Sequence, residues 1–129
     1  MVSNNNRIFI VDDESDTCLA LEKILEENGF KVDKFTDPFL ALKNFKADFY
    51  GMLILDIKMP KMNGFELYVE IKRIVSKVKV MFLTAVSEYQ QYEAFIKKVF
   101  PKLGERHFVS KQIEKEDLVK RVNGILSLN

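Results

Sequence analysis

The sequence is poor in the features that announce several protein classes. It has one cysteine, Cys18, in 129 residues. A lone cysteine cannot close an internal disulfide, which excludes a disulfide scaffold and fits a reducing compartment. It has one histidine, His107, so no histidine cluster is available to hold a metal. His107 itself reads as an exposed strand residue. Glycine and proline are scarce, at 5 and 3, and no Pro/Gly-rich linker, repeat or low-complexity tract divides the chain. The longest uncharged stretches are FYGMLIL and VMFLTAVS, far short of the roughly 18 apolar residues of a membrane span. The opening MVSNNNR lacks the apolar stretch of a signal peptide. Neither sign of charge prevails, with 20 basic and 19 acidic side chains, which excludes a generally basic nucleic-acid binder. A cytoplasmic protein with no membrane partner and no direct nucleic-acid contact is expected.

What is present is a soluble globular composition, 47% apolar and 30% charged. The length suits one domain, 1–129, with residues 1–6 as a disordered tail. Short apolar runs recur: IFIV at 8–11, MLIL at 52–55 and VMFL at 80–83. They are too short for helices and apolar on both faces, as buried parallel strands are. FKVDKF at 30–35 and HFVS at 107–110 are weaker strand candidates. Between them, apolar residues recur at helical spacing: Cys18, Leu21, Leu25; Leu42, Phe45, Phe49; Leu67, Ile71, Ile74; Tyr92, Ile96, Val99; and Leu118, Val122, Ile125. Asp37-Pro38 reads as a helix N-cap with proline at the first position, and Gly29 as a C-terminal glycine. The pattern is βα repeated five times. Strands joined by helical crossovers are parallel, with helices on both faces, and such a doubly wound α/β sheet places its ligand at the carboxyl ends of the strands.

Those ends carry chemistry. IFIV ends in Asp12-Asp13-Glu14, MLIL in Asp56, VMFL in Thr84-Ala85 and HFVS in Lys111. Carboxylates gathered in a partly desolvated pocket repel one another and call for a cation. Hard oxygen ligands suit Mg²⁺, and Lys111 supplies a second positive charge. Asp56, ending a central strand, is the natural nucleophile, able to take a phosphoryl group as an acyl phosphate. Thr84 would hydrogen-bond a phosphoryl oxygen, and Ala85 leaves the approach open by being small.

Taken in order, Asp12-Asp13, Asp56 with Met59-Pro60 and Gly64, Thr84-Ala85, Phe108 and Lys111 make the chain resemble a response-regulator receiver domain of the CheY type over essentially its full length. The resemblance implies a flavodoxin-like five-stranded sheet in the order 2-1-3-4-5. It implies that Asp13, Asp56 and the backbone carbonyl of Lys58 ligate Mg²⁺, with Asp12 acting through water. Asp56 would take its phosphoryl group from a phosphohistidine of a partner histidine kinase or phosphotransfer protein. Thr84 would then move toward the phosphoryl group, and Phe108 would turn inward behind it. Lys58 and Val86 occupy positions that tune hydrolysis. Val86 cannot hydrogen-bond the attacking water, and Lys58 can shield the phosphoryl group or pair with Glu14, so slow self-dephosphorylation is expected.

Two departures stand out. Gln112 follows Lys111 where the family usually has a cis proline, and a cis bond before a non-proline residue costs roughly 2.5–4 kcal/mol. A trans or strained bond is expected. The segment from Thr84 to Lys111 is also longer, by about one helical turn, with the extra residues around Pro101 and Gly104. An alternative is a binding module of the same fold that is not phosphorylated. A metabolic enzyme fits poorly: an aspartyl phosphatase would want a second aspartate where Lys58 stands, the acid run would repel a flavin phosphate, and the Gly-rich dinucleotide and P-loop fingerprints are absent. No DNA-binding segment follows the last helix pattern, so output is expected through protein contacts, or from sequence beyond this chain.

Overall fold

The computed structural model describes residues 6–85 and 88–128. The expected tail falls largely outside them, on residues 1–5. Asn6 lies inside and is held, its carbonyl accepting from Lys31 N at 2.9 Å. Strands β1 (Arg7–Val11), β2 (Lys31–Phe35), β3 (Met52–Asp56), β4 (Lys79–Thr84) and β5 (Phe108–Ser110) alternate with helices α1 (Ser15–Glu27), α2 (Pro38–Asn44), α3 (Gly64–Ile74), α4 (Glu88–Val99) and α5 (Lys115–Leu126). The sheet is parallel throughout, in the order β2-β1-β3-β4-β5, as the resemblance implied.

The strands form where the apolar runs predicted because both faces are covered. All five residues of β3 are buried. Alternation then divides the core. Ile8, Ile10, Met52, Ile54, Met81, Leu83 and Val109 belong to one layer, with the stripes of α1 and α5. Phe9, Val11, Leu53, Leu55, Val80, Phe82 and Phe108 belong to the other, with α3, Ala41 of α2 and Ile96 of α4.

The caps are mostly as read. Asp37 accepts from Phe39 N at 2.9 Å with Pro38 at the first helical position. Gly29, at φ +91°, closes α1: its N–H donates to Glu26 O and Phe30 N–H to Leu25 O, a two-bond C-terminal motif that needs the left-handed residue. Asn63 and Glu66 form a reciprocal capping box on α3.

Three residues of the helical stripes are not in the core. α2 stops at Asn44, so Phe49 lies beyond it and is 40% exposed, with Arg7 and Lys46 each over its ring. Tyr50 takes the interior place, 4.8 Å from Phe9. Ile74 and Val99, each the last residue of its helix, are also exposed. The stripe holds until the helix runs past the edge of the sheet.

The longer segment before β5 contains a short 3-10 turn, Glu105–His107. His107 lies there rather than in the strand, and it is buried. Its Nδ1 accepts from Gly104 N at 3.0 Å, which anchors the turn. Burial holds the imidazole below its ordinary pKa, with Arg106 adding to the fall. Outside β5, Arg121 of α5 donates to the carbonyls of Arg106 at 3.0 Å and Phe108 at 3.3 Å. The Ser110 carbonyl accepts from Ile113 N and the Phe108 N–H donates to Glu105 O.

Candidate functional site

The sheet brings the predicted residues to one edge. Ladder bonds running just past the strands fix their backbones: Asp12 N to Phe35 O at 3.1 Å, Ile57 N to Leu83 O at 3.2 Å and Lys111 N to Thr84 O at 3.0 Å. Asp12, Asp56 and Thr84 are buried, while Asp13, Glu14 and Ala85 are exposed. One carboxylate oxygen from each of Asp12, Asp13 and Asp56 falls within 4.8 Å of the others. Asp12 also turns the chain into α1, its Oδ1 accepting from Glu14 N at 2.8 Å.

Lys111 reaches this cluster. Its Nζ lies 3.1 Å from Asp12 Oδ2, 3.3 Å from Asp56 Oδ2 and 2.9 Å from Glu14 Oε1. Direction separates the three. The Glu14 contact is a hydrogen bond, whereas Asp12 Oδ2 and Asp56 Oδ2 are buried and accept no hydrogen bond. The chain contains no cis peptide bond among the described residues, so Lys111–Gln112 is trans. The turn is tied instead by Gln112 N to Ser110 Oγ at 3.1 Å.

The electrostatics follow from burial. Desolvation and the Asp12 charge push the Asp56 carboxyl up to about 7, with Lys111 pulling the other way and the Asp13 carboxyl adding to the rise. Burial also raises Asp12, partly offset by the Glu14 N–H and the Lys111 charge. The Lys111 hydrogen bond holds Glu14 low. Burial alone would lower Lys111, but Glu14, Asp56 and Asp12 together raise it. Two buried, hydrogen-bond-poor carboxylate oxygens beside the exposed Asp13 form a hard-oxygen set short of positive charge. That set fits Mg²⁺.

Gly64 acquires a physical reason. Gly64 N–H donates to Ile57 O at 3.0 Å, and a Cβ on Gly64 would collide with the carbonyl oxygen of Asp56. The first turn of α3 thus lies directly on the backbone of the proposed nucleophile. Lys58 is exposed and lines a groove of about 360 Å³ with Met59, Pro60, Phe65 and Tyr92. Val86 lies outside the described residues. Phe108 is buried and already faces inward, stacked on Phe82 at 5.3 Å with Tyr89 at 5.0 Å. Sequence reading missed Glu14 as the partner of Lys111. The two are 97 positions apart, and no local signal joins them. The Asn63–Glu66 box was also missed, though the spacing N-x-x-E was there to be read.

Residues 8–123 match the family model of the response regulator receiver domain. The chain belongs to that family. This receiver, of the two-component signalling type, is 26% identical over 121 residues to the transcriptional regulatory protein RprY of Bacteroides fragilis. That alignment covers 93% of this chain and 49% of RprY. It is 29% identical over 120 residues to the response regulator SaeR of Staphylococcus aureus, covering 93% of this chain and 50% of SaeR. The chain thus spans about half the length of the curated relatives it matches. Among solved structures, a receiver domain protein from Clostridium thermocellum superposes with a TM-score of 0.79 at 25% identity, covering 93% of each chain. The response regulator TrrA of Thermotoga maritima, in complex with Mg²⁺ and BeF, superposes with a TM-score of 0.72 at 30% identity, covering 92% of this receiver and 97% of TrrA. No described helix is long and apolar enough to cross a membrane.

Proposed function

We propose that this receiver is a phosphorylation-controlled signalling switch with Asp56 as phosphoacceptor. The observation that carries the reading is the buried Asp56 at a strand end, beside Asp12, Asp13 and Lys111, with carboxylate oxygens left without hydrogen bonds. Asp56 Oδ attacks the phosphorus of a phosphohistidine on a histidine kinase or phosphotransfer protein. The O–P bond forms, the P–N bond breaks, and the nitrogen keeps the electron pair. Phosphoryl transfer of this kind is governed by positioning and charge neutralisation. Asp13, Asp56 and the Lys58 carbonyl would hold Mg²⁺, with Asp12 acting through water. The ion, when bound, supplies the positive charge that offsets the phosphoryl oxygens. Lys111, with Nζ 3.3 Å from Asp56 Oδ2, supplies a second positive charge.

Thr84 donates its hydroxyl to a phosphoryl oxygen and forms the switch pair with Phe108. Because the Phe108 ring is already seated, phosphorylation acts by holding the seated state, a shift of population rather than the creation of a new arrangement. The receiver then signals by protein contacts in the cytoplasm, without touching nucleic acid or membrane. Lys58 shields the phosphoryl group and Val86 offers the hydrolytic water no hydrogen bond, which makes self-dephosphorylation slow.

The test is incubation with Mg²⁺ and acetyl phosphate, followed by intact-mass measurement over time. Wild type is expected to gain one phosphoryl group and keep it for minutes or longer, and Asp56→Asn to gain none. Absence of any mass gain in wild type would overturn the reading. Decay within seconds would overturn the slow hydrolysis.

A further inference from the structure

Glu14 occupies the N-cap position of α1, and it is an unusual residue to find there. Ser, Thr, Asp and Asn are preferred because their short side chains accept from the first turn. Glu14 makes no side-chain cap bond. Its extended backbone sends the carboxylate to Lys111 instead, at 2.9 Å. Asp12 Oδ1 accepts from the Glu14 N–H and turns the chain into α1, while the N–H groups of Thr17 and Cys18 donate to the Glu14 carbonyl, so the Glu14 side chain takes no part in the cap.

Lys111 needs such a partner. Gln112 follows it in a trans linkage, and glutamine imposes none of the backbone restraint that a proline ring does. The Lys111 backbone is held by Thr84 O, but beyond Cα a flexible stem carries the ammonium. Asp12 and Asp56 attract it by charge without accepting a hydrogen bond. These are the acids that a cation and a phosphoryl group would engage. Glu14 lies outside that cluster, with its side chain 63% exposed, so its grip is available when the other two are occupied.

We infer that Glu14 is the positioning residue that aims Lys111 at the phosphoryl group on Asp56, doing from the start of α1 what the residue after Lys111 does not. The inference rests on Asp56 being the phosphoacceptor. Glu14 touches neither the phosphoryl group nor the reacting oxygen. It fixes the direction of the ammonium that does.

The test compares rates of mass gain from acetyl phosphate, with Mg²⁺, in wild type, Glu14→Gln, Lys111→Ala and the double variant. Glu14→Gln should slow phosphorylation roughly three- to ten-fold, the size expected for one weakened charge-assisted hydrogen bond. In the Lys111→Ala background the same change should have no effect. Salt should not abolish the difference, since a through-space effect of the exposed charge would be screened and aiming would not. Independently, Glu14→Gln should shift and broaden the Lys111 ammonium resonance in isotope-labelled lysine. A Glu14→Gln protein phosphorylated as fast as wild type, or equally slowed with and without Lys111, overturns the inference and leaves Asp56 as phosphoacceptor. A wild type that gains no mass overturns both.

Discussion

The two sides of the sheet are built from different material. Between the sheet, α1 and α5 the buried residues are aliphatic, with Phe30 the one aromatic ring among them. On the other side six buried rings, Phe9, Phe65, Tyr68, Phe82, Phe100 and Phe108, are set among aliphatic residues. Those rings touch in sequence, Phe108 on Phe82, Phe82 on Phe65 and Tyr68, and Tyr68 on Phe100. Strand alternation carries the division to the site. Asp12, Asp56 and Lys111 fall on the parity of the aliphatic layer, and Thr84 and Phe108 on that of the aromatic layer. The proposed phosphoacceptor and its lysine thus continue one side, and the pair proposed to respond continues the other. Branched aliphatics give a close-packed layer that resists movement. Aromatic rings prefer particular tilts and offsets, so a few rotations can change how a layer presents itself.

The largest expected effect tests that division directly. Phe82→Ala should cost about 3–5 kcal/mol and Leu25→Ala about 2–5 kcal/mol in urea unfolding. At concentrations where both remain folded, phosphorylation from acetyl phosphate should persist in both, while the response of Phe108 to it, read from aromatic resonances, should be lost in Phe82→Ala alone. Loss of the response in Leu25→Ala as well would erase the distinction. Next in size, Gly64→Ala should lower stability by about 1–3 kcal/mol, because the new methyl meets the Asp56 carbonyl and the helix must shift. Thermal unfolding measures this, and it should also slow phosphorylation, since the clash sits on the reacting residue. An unchanged melting temperature would mean that α3 is not keyed to β3 as the geometry requires.

The smallest effect concerns pH. His107 is buried with its pKa below the ordinary value of about 6.5. The unfolded chain therefore binds the proton more readily than the folded one. Its contribution to stability is present above pH 6.5 and is lost as pH falls from there toward the folded-state pKa. His107→Gln should flatten stability against pH in that window, and a profile parallel to wild type would show that His107 does not titrate with unfolding.

The same comparison explains what was legible in the sequence. The aliphatic stripes, Cys18, Leu21, Leu25 and Leu118, Val122, Ile125, are buried throughout. Each unfinished stripe, ending in Phe49, Ile74 or Val99, lies on an aromatic-side helix or just past one. The gathering of Asp12, Asp13, Asp56, Thr84 and Lys111 followed from apolar runs with polar ends, because a parallel sheet brings such ends to one edge, whereas the strand order came with the family resemblance. The Glu14–Lys111 bond was illegible, since it joins the first and last loops through side-chain direction alone. The collision beneath Gly64 was illegible for a similar reason: it depends on how closely α3 approaches β3.

Arg121 gives the rim of the sheet a property of its own. Its guanidinium occupies the carbonyls of Arg106 and Phe108, and neighbouring backbone occupies most of what else β5 would offer. An edge strand with its acceptors taken is a poor template for further pairing. Growth of the sheet at β5 by an incoming strand would require prising a cation from two oxygens. A visitor to that flank meets Arg106, Lys120 and Arg121, with Asp117 among them, in the groove beside α5, and the attachment of an acidic one would weaken as ionic strength rises.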